Sequence, residues 1–148
     1  MNNINVEITV VGEYSTYEQL YAEAEKLPKT IRLQWIKALK IVKKNLYNEK
    51  IYFLSSAAFS GTTMGYLFIT DTKAILAEIR PFGKIRPHEI KYSDYSEIDH
   101  DILKALGMTA SSIEFKKRGF LRSKKIRITH IPLNQFENIF KFIKRHFS

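Results

Sequence analysis

The hydrophobic pattern changes period partway along the chain. Tyr17, Leu20, Tyr21, Ala24 and Leu27 recur at helical spacing. Ser15 or Thr16, followed three residues on by Glu18 or Gln19, offers a capping box at the start of that run. Pro28 closes this helix. A second helix is predicted from about Thr30 to Leu46, its stripe formed by Ile31, Trp35, Leu39 and Val42 and widened by Ile36 and Leu46. Lys37, Lys40, Lys43 and Lys44 fall on the wet side, and the lysines near the C-terminal end suit the helix dipole. Two amphipathic helices joined across a proline read as a helical hairpin. Ahead of them, Ile4, Val6, Ile8 and Val10 alternate with polar residues up to Gly12, which predicts a short strand or an extended arm.

From Ile51 the period falls to about two, the signature of strands. Ile51 to Phe59 is a strand candidate, and Ser60 to Thr63 a loop. Gly65–Thr70 and Lys73–Ile79 form a hairpin around Asp71-Thr72. Pairing through that turn puts Tyr66, Phe68, Ile75 and Ala77 on one face and Leu67, Ile69, Ala74 and Leu76 on the other. Both faces are apolar, whereas a lone antiparallel sheet leaves one face wet. The helical hairpin is the available cover for the second face. Residues 80–95 are punctuated by Pro81, Gly83 and Pro87, with a short strand near Glu89–Tyr92. Glu97 to Asp101 alternates again, and Leu103 to Gly107 reads as a turn or a single helical turn ended by glycine. Ser111–Lys116 and Lys124–Ile131 pair as strands, setting Phe115 opposite Ile126, Ile113 opposite Ile128 and Glu114 opposite Arg127. Pro132 opens a last helix with Leu133, Phe136, Ile139, Phe140, Ile143 and Phe147 on its apolar stripe.

At 148 residues, with 45% apolar content, the chain suits one globular unit with a small appendage. The division expected is an N-terminal extension over residues 1–46 and a β-domain over residues 47–148. No cysteine occurs, which removes disulfides, thiolate metal sites and cysteine nucleophiles. The N-terminus lacks the basic and apolar segments of a signal peptide, and no apolar run reaches the roughly 18–20 residues that span a bilayer. A cytoplasmic protein, at most peripheral to the inner membrane face, is expected.

The order of strands and closing helix is that of a pleckstrin-homology (PH) fold, and the wording of the chain resembles the bacterial PH-like family of the YokE-like type. Four pieces carry the resemblance: Asn48-Glu49-Lys50-Ile51, the run from Gly65 to Lys73, the run from Ile90 to Ile98, and Ile113-Glu114-Phe115 through Ile126 to Pro132 with the last helix. The resemblance implies an α+β fold, a PH-like antiparallel barrel or sandwich of six or seven strands capped by a C-terminal helix, preceded here by the helical hairpin. It also implies a binding scaffold for peptides, proteins or lipid headgroups. Phosphoinositide-binding PH domains carry bases around the loop joining their first two strands. Here that loop, Phe59 to Met64, has none, and Lys50, Lys73 and Arg80 do not rebuild the motif.

No catalytic motif stands out. Ser55-Ser56 and Ser111-Ser112 lack a nucleophile elbow. Gly61 to Gly65 lacks the lysine of a P-loop, and His88, His100, His130 and His146 show no metal-ligand spacing. His100 and His130 fall on inward strand phases, where a hydrogen-bonded ring is expected. Asp94, Glu97, Asp99 and Asp101 lack the glycine of a calcium loop and read as a solvated face. The sequence therefore predicts a protein that is not an enzyme and needs no cofactor or metal.

What remains is charge. Lys116, Lys117, Arg118, Arg122, Lys124, Lys125 and Arg127 form a run without an acid, with Phe120 and Leu121 at its centre. Without those seven bases the 24 Lys and Arg fall to 17 against 15 Asp and Glu, and the formal charge falls from +9 to +2. The plain reading of such a hairpin is a solvated loop that keeps the chain soluble; among binding readings a protein or peptide partner leads, with self-association beside it. An anionic membrane surface is the alternative, in which Phe120 and Leu121 enter the headgroup boundary. Nucleic acid is weaker, because stacking platforms are scarce. Trp35, Tyr14, Tyr17 and Tyr21 are expected to pack on the sheet, or to offer a self-association surface if left uncovered.

Overall fold

The computed structural model describes residues 5–59, 63–117 and 124–147. Seven strands form one antiparallel sheet: β1 (Phe53–Phe59), β2 (Thr63–Ile69), β3 (Lys73–Ile79), β4 (Ile85–Lys91), β5 (Glu97–Ala105), β6 (Met108–Lys117) and β7 (Lys124–Thr129). Their order is β4-β3-β2-β1-β7-β6-β5. Helices α1 (Tyr17–Glu25) and α2 (Lys29–Leu46) precede the sheet and α3 (Leu133–His146) follows it. Among the described residues β1 pairs with β7 at Ala58 opposite Thr129 and Phe59 opposite Ile128. That pairing joins a β1–β4 half of the sheet to a β5–β7 half.

Two hydrophobic cores follow from the two faces of β2 and β3. Leu67, Ile69, Ala74 and Leu76 join Ile113, Phe115 and Ile128 of the other half-sheet beneath Phe136, Ile139, Phe140 and Ile143 of α3. Tyr66, Phe68, Ile75 and Ala77 face the opposite way, under Leu20, Ala24, Trp35, Leu39 and Val42. The helical hairpin thus covers the second face, as the two-sided apolar pattern requires. Trp35 is fully buried. Its ring stacks on Tyr66 with centroids 3.8 Å apart, and its indole N–H donates to Glu7 Oε2 at 2.7 Å. Gln34 Nε2 donates to the Tyr66 hydroxyl at 2.5 Å. Tyr17 and Tyr21 pack on each other and toward α2, with Lys43 over the Tyr17 ring, while Tyr14 packs on Tyr52.

A buried lysine ties α2 to the sheet. Lys73 Nζ donates to the Asn45 carbonyl at 2.6 Å and lies 3.3 Å from Glu49 Oε1 and 3.9 Å from Glu89 Oε1. The Tyr47 ring covers it at 4.5 Å. Tyr47 and Asn48 are both left-handed, at φ 50 and 62, and swing the chain from α2 toward β1. Lys73 is thus occupied inside the fold. Lys50 lies over the Tyr14 ring at 4.4 Å, and Arg80 pairs with Glu78.

Several boundaries differ from the sequence reading. Thr16 and Gln19 form the complete capping box, while Ser15 instead bridges to Ile51. Residues 5–11 form an extended arm without ladder pairing, anchored by buried Ile8. β4 is a full strand and not a short one near Glu89. Pro87 fits it because β4 is an edge strand, where the missing N–H costs no ladder bond. Between Leu103 and Gly107 the turn ended by glycine is present but confined to two residues, and there is no helical turn. β5 runs on to Ala105, and Leu106 and Gly107, at φ 50 and 74, form a two-residue hairpin turn with Ala105 opposite Met108. Leu133, placed on the apolar stripe of α3, is exposed. Ser60 to Thr62 lie outside the described residues.

Gly65 is required by close approach. A Cβ there would stand 2.3 Å from the Ala77 carbonyl oxygen and 2.9 Å from Glu78 Cα, both backbone atoms of the neighbouring strand. Gly65→Ala must force β2 and β3 apart, and it is expected to destabilise the protein by about 1–3 kcal/mol. Urea denaturation measures this; a variant as stable as the parent would show that the strands separate freely.

Candidate binding surface

Of the basic run, Lys116, Lys117, Lys124, Lys125 and Arg127 lie among the described residues; Arg118, Phe120, Leu121 and Arg122 lie outside them. The hairpin register is the one the spacing predicts: Phe115 opposite Ile126, Ile113 opposite Ile128 and Glu114 opposite Arg127. It also sets Lys116 opposite Lys125 and Lys117 opposite Lys124. Like charges facing across strands oppose hairpin formation by a few tenths of a kcal/mol or more.

The structure separates these bases into two groups. Lys116 and Arg127 are engaged on the outer face of β5–β7. Lys116 Nζ lies 3.1 Å from Asp99 Oδ2 and 3.5 Å from Glu114 Oε1, and Arg127 donates to Glu114 Oε2 at 2.9 Å. The Arg127 hydrogen bond, opposed by partial burial and helped by Lys116, holds the Glu114 carboxyl below its ordinary range. Asp99 in turn raises the Lys116 ammonium above its usual value. Lys117, Lys124 and Lys125 are exposed and form no ion pair among the described residues.

A second surface element escaped sequence reading. The β3–β4 connection, Arg80 to Lys84, presents Phe82 at 99% exposure with φ 62. A bulky residue in the left-handed region is strained by about 1 kcal/mol or more. The loop is nonetheless held firmly. Arg80 N donates to the Lys84 carbonyl at 2.7 Å, and Lys37 of α2 donates to the Gly83 carbonyl. From Ile79 to His88 the chain carries Arg80, Lys84 and Arg86 and no acid. A phenylalanine set between proline and glycine inside an acid-free basic stretch is the signal that could have marked it.

The two elements share one end of the sheet. In the β1–β4 meander, the β1–β2 and β3–β4 connections fall at the same end. Phe59, the last residue of β1, pairs with Ile128, so the start of β7 at Lys124 projects beyond that same end. A supporting cluster lies just beneath. Phe59 stacks on His88 with centroids 4.0 Å apart, and buried Glu78 sits 3.1 Å from His88 Nε2 and 3.3 Å from Arg80.

The remaining candidates have structural roles. Ser55 and Ser111 are buried and donate to the Ser56 and Ile131 carbonyls. Among the described residues no group of three or more His, Asp and Glu is placed to hold a metal ion. Asp99 is paired, and Asp101 accepts the Ile102 N–H at 2.8 Å. His130 contacts Thr129 Oγ1 at 2.8 Å, in keeping with its inward phase. His100 differs from its expectation: it stays exposed, and what holds it is the Phe140 ring, 3.8 Å away between centroids.

An antiparallel sheet of seven strands, with one of its two cores closed by a C-terminal helix, defines a PH-type binding scaffold. The chain belongs to the bacterial PH domain family, whose model matches residues 47–145. Among curated proteins none matches it. PH-type domains are in general non-catalytic binding modules. Among the described residues no helix is long and apolar enough to cross a membrane.

Burial alone would push the Glu78 carboxyl up, but the hydrogen bond and charge of His88, with Arg80 and Thr63, outweigh it and hold it below its ordinary value. Its stabilising effect is therefore complete above the unfolded value of about 4.3 and is lost as the pH falls through the lower folded value. Glu78→Gln is expected to cost about 1–2 kcal/mol at pH 7, with the gap to the parent closing below about pH 4. Denaturant midpoints measured from pH 3 to 7 check this; a gap independent of pH would remove the carboxylate from the account.

Proposed function

We propose that this protein is a non-catalytic interaction module that rests on an anionic membrane surface through the end of the sheet bearing Phe82 and the basic hairpin. The observation that carries the reading is Phe82: a fully exposed aromatic ring on a hydrogen-bonded loop, with Lys84 and Arg86 in the same acid-free stretch and Arg80 already paired with Glu78. Lys117, Lys124 and Lys125, exposed and without an ion pair among the described residues, lie at the same end, and Arg118, Phe120, Leu121 and Arg122 continue the basic run in sequence. Each base near an anionic leaflet contributes about 1 kcal/mol, and the ring adds apolar burial at the headgroup boundary. The module would then work at the cytoplasmic face of the membrane.

Nucleic acid fits less well. The outer face of β5–β7 presents Glu97, Asp99, Asp101 and Glu114 in place of stacking rings. A protein partner is the second reading, favoured by that same face. Asp99, Asp101, Glu114 and Arg127 line a cleft of about 270 Å³, and its mixed charges suit a protein surface better than a uniformly anionic one.

Flotation with phosphatidylglycerol vesicles, against neutral phosphatidylcholine ones, tests the proposal. Binding to the anionic vesicles only is expected, weakening as salt rises. Phe82→Asp, and separately Lys117→Glu with Lys124→Glu, should each lower the bound fraction about tenfold or more. Equal flotation on both vesicle types, or none on either, would remove the membrane from the reading. Capture of a protein lost in Arg127→Glu would then favour the second reading.

A further inference from the structure

The far end of β5 and β6 has the opposite character. Around its turn Leu106 is completely exposed (101%), Met108 is 68% exposed, and Leu103 is exposed beside them. Leu106 occupies the first position of the two-residue turn at φ 50. Asparagine, aspartate or glycine takes that position with less strain, and all three are less apolar. The chain thus holds a leucine where both backbone and solvent disfavour it. Next to this knob lies a trough of about 370 Å³, whose walls combine Met64, Ala110, Ile131, Pro132 and Leu133 with the polar Ser56, Thr109, Ser111 and His130. Thr109 borders both knob and trough.

We propose that a second copy of this chain docks here, giving a two-fold dimer in which the Leu106 knob of each copy enters the trough of the other. A knob and a trough side by side on one surface are what an isologous interface needs, since a two-fold rotation seats both at once. The charge map permits the same occupant here and disfavours it elsewhere. The chain carries +9, so two copies repel through most of their surface. Of the residues that line the knob and the trough, Lys104 is the one Lys, Arg, Asp or Glu, and His130 is the one other titratable group. Lys117 lies nine residues along β6 from Met108 and six from Ser111 of the trough. At about 3.3 Å per residue those separations are roughly 30 and 20 Å, more than twice the ~8 Å Debye length at physiological salt. Dimerisation here keeps the basic ends far apart.

Sedimentation equilibrium on the full chain, carried to about 1 mM, reads the dimer directly. Leu106→Asn relaxes the turn and removes the knob. It is expected to raise the dimer dissociation constant about tenfold or more while leaving the monomer's denaturant midpoint, read at low concentration, unchanged or higher. Because the chain has no cysteine, Leu106→Cys mixed with Leu133→Cys should give a covalent pair of one of each under mild oxidation. A parent that stays monomeric throughout overturns the proposal. So does a dimer that Leu106→Asn leaves equally tight, since another surface then makes it. Loss of vesicle flotation in Leu106→Asn of a monomeric parent would reassign the knob to the membrane.

Discussion

The structure depends on a pair of strands that cannot tolerate water on either side. β2 and β3 are apolar on both faces, so each face must find a partner. α3 and the β5–β7 half-sheet close one side, and the α1–α2 hairpin closes the other. The close approach of the two strands at Gly65 brings backbone against backbone, leaving no room there for a side chain. Trp35 is the largest single contribution to the second side, stacked on Tyr66 and tethered through Glu7. From this arrangement the rest follows: β1, β2 and β3 are spent on burial, and the β5–β7 half-sheet keeps one wet face.

That wet face and the two sheet ends divide the surface chemistry. The face itself is a ladder of opposite charges, in which Lys116 and Arg127 satisfy Asp99 and Glu114. One end carries Phe82 with the exposed Lys84, Lys117 and Lys124, and the other gathers mostly uncharged groups around Leu106. Polarity along β6 is thus a gradient, from Met108 at the apolar turn to Lys117 at the basic one. Three kinds of contact can coexist on so small a domain because they sit on different parts of it.

Much of this was legible in the residues, for a physical reason. A period of two fixes which face each side chain takes, so the split of Tyr66, Phe68, Ile75 and Ala77 from Leu67, Ile69, Ala74 and Leu76 followed from the turn at Asp71-Thr72 alone. The β6–β7 register followed in the same way from matching Phe115 with Ile126. Helix ends were legible where a capping box or a proline marked them. What stayed hidden depended on tertiary surroundings. Pro87 looks like a breaker unless β4 is known to be an edge. Leu106-Gly107 carries no asparagine to announce a tight turn, so a helical reading of Gly107 was as natural. Phe82 and Leu133 look like core residues by type; exposure is a property of what surrounds them. The seven-base run was visible as charge, but not that Lys116 and Arg127 are neutralised by acids from β5 and β6.

The Lys73 knot has a consequence for where this chain can be cut. The family's characteristic stretch opens at Tyr47, yet Tyr47 is the lid over Lys73, and Asn45, just before it, accepts from the same ammonium. A polypeptide begun at that boundary would keep every strand and the closing helix. It would leave the ring of Tyr66 in water, strip Lys73 of its nearest acceptor, and lose the Asn45 donor to Glu89. Evolutionary unit and mechanical unit are offset here by one helical hairpin, so grafting this scaffold elsewhere means carrying the hairpin along with it.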